Sequence, residues 1–92
     1  MTKEQEVFLK ELSDIQDFVV NVILSKEEEF NDTQSMLNEA TYETIYKCME
    51  LFDGYRNNDI KCEIKNINSG NILNEKMELH NQCETFLKFT NI

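Results

Sequence analysis

Residues 8–22 read FLKELSDIQDFVVNV, and the spacing of their apolar side chains predicts an amphipathic helix. The apolar residues recur at intervals of four and three, which places them on one side of a helix with about 3.6 residues per turn. They are Phe8, Leu12, Ile15, Val19 and Val22. Charged and amide side chains fall on the opposite side. We therefore predict a first helix from about Thr2 to Ser25 whose apolar side lies in the core.

The end of this helix has apolar side chains outside that stripe as well. Phe18, Val20, Ile23 and Leu24 spread around the helix rather than along one side. Two explanations stay open: the rest of the domain covers this end, or it lies at an interface between subunits, with Phe18, Val20 and Leu24 as the interface candidates. A short strand over residues 18–24 is a third interpretation, because the segment is rich in β-branched residues.

A second helix is predicted between Asp32 and Phe52. Asn31, Asp32 and Thr33 are all suitable N-caps, and Asn31 has Gln34 at the capping-box position. A break near residues 38–41 is an alternative, with Thr41 capping a shorter helix. Gly54 follows the predicted end and suits the left-handed C′ position, which glycine occupies without steric strain.

The period changes after residue 58. Ile60, Cys62 and Ile64 alternate with charged residues, which predicts a half-buried strand. Residues 68–71 read NSGN and predict a turn, followed by a short return strand at residues 72–73. A last helix is predicted from about Asn74, as its N-cap, to Phe89.

These elements predict a single α+β domain over residues 1–92 that is mostly helical. Three main helices would pack on a short two-stranded antiparallel hairpin, in the order α-α-β-β-α. The predicted core takes side chains from every element. It consists of Phe8, Leu12, Ile15, Val19, Val22, Tyr42, Ile45, Met49, Phe52, Ile60, Cys62, Ile64, Leu79, Cys83, Phe86 and Leu87.

The net charge of −9 lies almost entirely in the first part of the chain. Residues 1–58 contain five Lys/Arg and thirteen Asp/Glu, whereas residues 59–92 contain four and five. This balance argues against direct nucleic-acid binding, because contacts to phosphate require Lys and Arg. The longest apolar run is far shorter than the roughly 20 residues of a membrane span, and the acidic N-terminus does not resemble a signal peptide. We expect a cytoplasmic protein with reduced thiols and no membrane partner.

Three cysteines and the single histidine are the sharpest candidates for chemistry. His80 and Cys83 are spaced i, i+3, and with Cys48 and Cys62 they have the composition of a tetrahedral zinc site. No Cys-x-x-Cys pair is present, and free cysteines are commonly buried as small apolar residues. The core interpretation is therefore favoured over zinc or a reactive thiol, and no cofactor or catalytic residue is predicted.

The acidic residues are the other candidate for function. As a surface they would attract a basic partner, in the manner of an acidic enzyme inhibitor, an immunity-type protein or a DNA mimic. The alternative is that the charge only keeps a small protein in solution. The candidates are Asp14, Asp17, Glu27, Glu28, Glu29, Asp32, Glu39, Glu43 and Glu50.

Three functions follow from these observations. The leading hypothesis is a non-catalytic protein that acts through protein–protein contact and forms a homo-oligomer. The second is the acidic inhibitor or mimic, and the third is a small zinc or thiol protein.

Overall fold

Two long antiparallel helices make up most of the structure, a computed structural model that describes residues 1–90. Helix α1 spans Lys3–Ser25 and helix α2 spans Thr33–Phe52. A single 3-10 turn at Glu27–Glu29 lies between them. Both helices were predicted from the sequence, and their bounds are confirmed to within a residue or two.

Polar side chains fix where each helix begins. Thr2 and Gln5 form a reciprocal capping box at the start of α1, with N···O distances of 3.0 and 2.9 Å. At α2, Asp32 is the cap, and its carboxylate accepts the backbone N–H of Ser35 at 2.7 Å. That hydrogen bond favours the charged carboxylate and lowers the pKa of Asp32.

Helix α2 is continuous, so the predicted alternative of a break at residues 38–41 is wrong. The Thr41 hydroxyl donates to the carbonyl of Leu37 inside the helix rather than capping a new one. The end of α2 was predicted correctly at Gly54, which has a φ of +91°. The N–H of Gly54 bonds to the carbonyl of Leu51, and the N–H of Tyr55 bonds to that of Glu50, which is a Schellman motif.

The core lies along the seam between α1 and α2. Its buried members are Ile15, Val19, Ile23, Leu51 and Ile60, of which Ile15 and Leu51 are fully buried. Contacts at both ends of the seam show that the helices are antiparallel. Phe8 stacks on Phe52 at one end, and Lys26 forms an ion pair with Glu39 at the other.

The predicted α+β fold with a hairpin is wrong, because the described residues contain no β-strand. Only an isolated bridge joins Lys65 and Ile72, around the turn that the sequence did predict. The side chain of Asn74 explains why the ladder stops. Its amide oxygen accepts the N–H of Ile64 at 2.9 Å, and its amide nitrogen donates to the carbonyl of Cys62 at 2.6 Å. One side chain therefore satisfies backbone groups that a partner strand would otherwise pair.

The same contact explains why the predicted helix 74–89 does not form. Asn74 is turned toward residues 62–64 and cannot serve as an N-cap. Lys76 has a φ of +61°, which no right-handed helix contains. Regular structure resumes only with a 3-10 turn at Leu79–Gln82 and the single helical turn α3, Cys83–Phe86.

Two members of the predicted core are exposed. Ile45 is 41% exposed and Phe86 is 79% exposed. Conversely, Ile23 and Leu51 are buried although the prediction omitted them. The alternation in residues 60–65 is confirmed as an inside–outside pattern, since Ile60 is buried, Cys62 and Ile64 are partly buried, and the charged residues between them are exposed.

We predict that Leu51→Ala destabilises the fold by about 2–5 kcal/mol, because it leaves a cavity at a fully buried position. Ile67→Ala, at an apolar position that is 89% exposed, is the control and should cost less than about 1 kcal/mol. Urea unfolding followed by circular dichroism measures both. Equal losses would contradict the placement of the core.

Candidate functional site

A buried acid–histidine pair joins the end of α2 to the C-terminal segment. Asp53 is the C-cap residue of α2, and His80 lies in the 3-10 turn at Leu79–Gln82. Oδ2 of Asp53 is 2.8 Å from Nδ1 of His80 and also accepts the backbone N–H of His80 at 3.0 Å. Both side chains are buried. An ionised carboxylate only accepts hydrogen bonds, so Nδ1 carries the proton of the imidazole.

Further polar and aromatic groups surround the ring. Nε2 of His80 lies 3.6 Å from Oε2 of Glu78, which is beyond hydrogen-bond distance. Glu78 accepts the hydroxyl of Tyr55, and this bond raises the pKa of Tyr55 because it stabilises the protonated phenol. The rings of Tyr55 and Tyr46 contact the imidazole edge-on, with centroids 4.7 and 5.9 Å from it.

This arrangement orients a histidine, and among residues 1–90 no hydroxyl or thiol faces its second nitrogen as a nucleophile would. In a catalytic triad the second ring nitrogen faces a hydroxyl or thiol, whereas here Nε2 faces the Glu78 carboxylate. The nearest thiol in the sequence, Cys83, is directed at the carbonyl of Leu79 at 3.7 Å. The pair therefore holds the C-terminal segment against α2, and its Asp53 was not among the residues that the sequence singled out.

The four candidate zinc ligands do not form a cluster. Within residues 1–90, no group of three or more His, Cys, Asp or Glu side chains is arranged to hold a metal ion. All three cysteines are free thiols, with Cys83 buried and Cys48 and Cys62 partly buried. Desolvation raises the pKa of Cys48 and of Cys83, in the direction opposite to that of a reactive thiolate.

The predicted acidic surface loses one of its members on α2, and two others are only partly exposed. Glu39 is buried: its Oε1 lies 3.5 Å from Nζ of Lys26, and its Oε2 accepts the backbone N–H of Thr90 at 3.0 Å. Glu43 and Glu50 are partly buried, and Glu50 is paired with Lys47. The remaining candidates are exposed: Asp14, Asp17, Glu27, Glu28, Glu29 and Asp32. A basic partner stays a prediction that rests on this smaller set.

The apolar interface candidates separate into two groups. Phe18 is 47% exposed and lies beneath Nζ of Lys47, which is 5.1 Å from the ring centroid. Val20 and Leu24 are 50% and 60% exposed. They lie on α1 at a different angle from Phe18, together with other exposed residues that carry no charge.

An uncharged surface extends over one side of both helices, and we name it the neutral face. On α1 it follows intervals of three and four residues, and on α2 it covers the side turned away from Glu39 and Asp53. Its members are all exposed: Leu9, Ser13, Gln16, Val20 and Leu24 of α1 with Gln34, Leu37, Thr41, Thr44 and Ile45 of α2.

Helix geometry places both halves of the neutral face on the same side of the helix pair. Successive residues of a helix are rotated by about 100° around its axis. On both helices, the neutral-face residues lie roughly a quarter to a third of a turn away from the residues that contact the other helix, and the rotation has the same sense on α1 and α2. Because the helices are antiparallel, equal displacement brings the strips together. The C-terminal segment covers another side of α2, through His80 on Asp53 and Thr90 on Glu39.

A shallow apolar groove adjoins the Leu9 end of the neutral face. It has a volume of about 620 Å³ and separates the start of α1 from residues 59–62. Its lining combines apolar side chains with charged ones at the rim: Met1, Glu4, Gln5, Phe8, Leu9, Asp59, Ile60, Lys61 and Cys62. Leu9 and Lys61 therefore both border the groove.

Sequence reasoning missed most of the neutral face, although its signal was present. The prediction assigned Ile45 to the core and did not consider Leu37 as an exposed residue. The signal is the absence of charge at positions 34, 37, 41, 44 and 45 of a helix that is otherwise rich in glutamate. Such a strip differs from the charged side that a solvent-exposed helix usually shows.

We predict that Asp53→Ala destabilises the protein by about 2–5 kcal/mol, because it removes the acceptor of two buried N–H groups. The opposing gain from deleting an acid at a helix C-terminus is only about 0.3–1 kcal/mol. Glu78→Gln beside the same ring is the control, with an expected change within about 0.5 kcal/mol. Denaturant unfolding measures both, and a neutral Asp53→Ala variant would contradict the structural role of the pair.

We predict that stability falls above about pH 9, the ordinary thiol value from which burial raises the pKa of Cys48 and Cys83. A raised pKa in the folded state stabilises the fold at lower pH, and this contribution is lost as the pH rises through the raised value. The melting temperature should drop as the pH rises above about 9, and less so in Cys48→Ala/Cys83→Ala. An identical drop in that variant would contradict the assignment. The pKa values of Tyr42 and Tyr46 are also raised by desolvation, so their contribution is lost only above about pH 10.

No helix within the described residues combines the length and apolar character needed to cross a membrane. Comparison of the chain with protein-family models, with curated proteins and with solved structures finds no significant match.

Proposed function

We propose that this is a non-catalytic cytoplasmic protein that acts through protein–protein contact and associates with itself through the neutral face. The observation that carries the proposal is the combination of exposure and missing charge on one side of α1 and α2. Val20, Leu24, Leu37 and Ile45 are each between 41% and 60% exposed. Exposed apolar residues are ordinary when isolated, but a contiguous group is typical of an interaction surface.

The two threonines of the neutral face are compatible with burial in an interface. The hydroxyl of Thr41 donates to the carbonyl of Leu37 at 2.7 Å, and that of Thr44 donates to the carbonyl of Ala40 at 2.8 Å. Both hydroxyls already have a partner inside their own helix. Covering them would therefore avoid the desolvation cost of an unpaired polar group.

The net charge of the chain favours the neutral face as the site of self-association. Two copies with a net charge of −9 each repel one another when acidic surfaces approach. Asp14 and Asp17 lie on the exposed side of α1 that adjoins the neutral face, where contact between copies would oppose like charges. The neutral face carries no such charges, so two copies can meet there without that cost.

The test is the oligomeric state of Ile45→Glu and Leu24→Glu. We expect the wild-type protein to sediment as a dimer at tens of micromolar and both variants to sediment as monomers. A buried, unpaired glutamate in each interface half should weaken association at least tenfold. Both positions are exposed, so the helical circular dichroism spectrum should be retained.

Asn21→Glu is the matched control for this experiment. It adds the same charge to α1 at an exposed position outside the neutral face, so it should leave the dimer intact. A wild-type protein that remains a monomer at several hundred micromolar would contradict the proposal. Equal weakening by all three variants would show that net charge alone controls association.

A further inference from the structure

The geometry points to an antiparallel dimer, in which a second copy of this chain packs its neutral face across the first with the two helix pairs running in opposite directions. This inference rests on the proposed function, because it takes self-association through the neutral face as given. A symmetric dimer of two such faces has two simple arrangements. The twofold axis runs either along the helices or perpendicular to them.

The charges at the two ends of the helix pair are very different. The end with the turn between α1 and α2 has four exposed acids: Glu27, Glu28, Glu29 and Asp32. The nearby cation, Lys26, is paired with buried Glu39 and is therefore not available to a partner. The turn end therefore carries a concentrated negative charge that no nearby free cation among residues 1–90 neutralises.

The opposite end carries both signs. Lys61 and Asp59 lie with Glu4 around the groove beside Leu9. Arg56 and Glu11 form a further pair there, with Nε and Oε2 3.7 Å apart. The named groups at this end are two cations and three acids, so this end is much less negative than the turn end.

The difference in charge between the two ends favours one of the two dimer arrangements. With the axis along the helices, the two turns lie side by side and bring eight carboxylates together. With the axis perpendicular, each acidic turn lies beside the mixed end of its partner. Like charges in close contact oppose association strongly, so the antiparallel arrangement is the one that the charges permit.

The size of the neutral face is sufficient for a modest dimer. Leu9 to Leu24 spans about 22 Å along α1, and two helices 8–10 Å apart give a width of about 20 Å. Each copy then contributes roughly 400 Å² at the centre of the contact, with additional area from the rim. The total of about 1,000 Å² is near the lower limit of specific interfaces, which is consistent with micromolar affinity.

A subunit-mixing experiment tests the arrangement. Wild-type protein is mixed with the variant Glu27→Lys/Glu28→Lys/Glu29→Lys, and native mass spectrometry at low salt measures the fraction of mixed dimers. The variant should fold, because lysine near a helix C-terminus is favourable. In the antiparallel arrangement the two turns are remote, so mixing should be close to statistical, with about half of the dimers mixed.

The contrary outcomes are distinct. A mixed fraction above about 90% would mean that the turns lie side by side, which overturns the antiparallel inference but leaves self-association through the neutral face intact. The absence of any dimer in the wild-type sample would overturn the proposed function itself. A second mixture, of wild-type protein with Asp14→Lys/Asp17→Lys, is the control. Its substitutions lie outside the neutral face, so it shows whether the mixed fraction responds to net charge alone.

Discussion

The structure depends on how three sides of α2 are used. Leu51 lies on the side that meets α1 and is fully buried there. Asp53 and Glu39 lie on the side that contacts the C-terminal segment. Asp53 accepts the backbone N–H of His80, and Glu39 accepts the backbone N–H of Thr90. The third side has no neighbour within the described part of the chain. A helix pair with only about 30 residues of irregular chain to cover it leaves part of its surface exposed, and the composition of that surface then determines what the protein can contact.

The elements that the sequence predicted correctly are those with short-range causes. The apolar spacing from Phe8 to Val22 fixes which side of α1 is buried, and the side chain of Thr2 fixes where α1 begins. Gly54 ends α2 because the backbone there needs a positive φ. Each of these effects involves residues within about one or two turns of helix, so a reading of the chain alone captures them.

The elements that the sequence did not predict have long-range causes. Asn74 had the features of a helix cap, yet its amide bonds to the backbone of residues 62 and 64. No local pattern indicates that this side chain substitutes for a strand. Glu39 has the spacing of a solvent-exposed residue, yet Lys26 approaches it from the end of α1 and Thr90 from the C-terminal segment. The predicted burial of Ile45 was wrong for a related reason. The apolar side of α2 is wide, and periodicity does not show which part of it the rest of the chain covers.

Charge and apolar exposure constrain each other in this protein. A bare apolar strip on a neutral domain would associate with many surfaces, because the hydrophobic effect has no directional preference. Here the neutral face lies on a chain with a net charge of −9, and acidic residues border it along α1 and at the turn. Approach by another acidic protein is unfavourable except where the uncharged surfaces meet. The acids therefore restrict the contact, whereas the apolar residues supply its free energy. The uneven charge of the chain and the uncovered side of α2 therefore act together. The uncovered side provides the contact surface, and the acidic residues around it limit how a partner can approach.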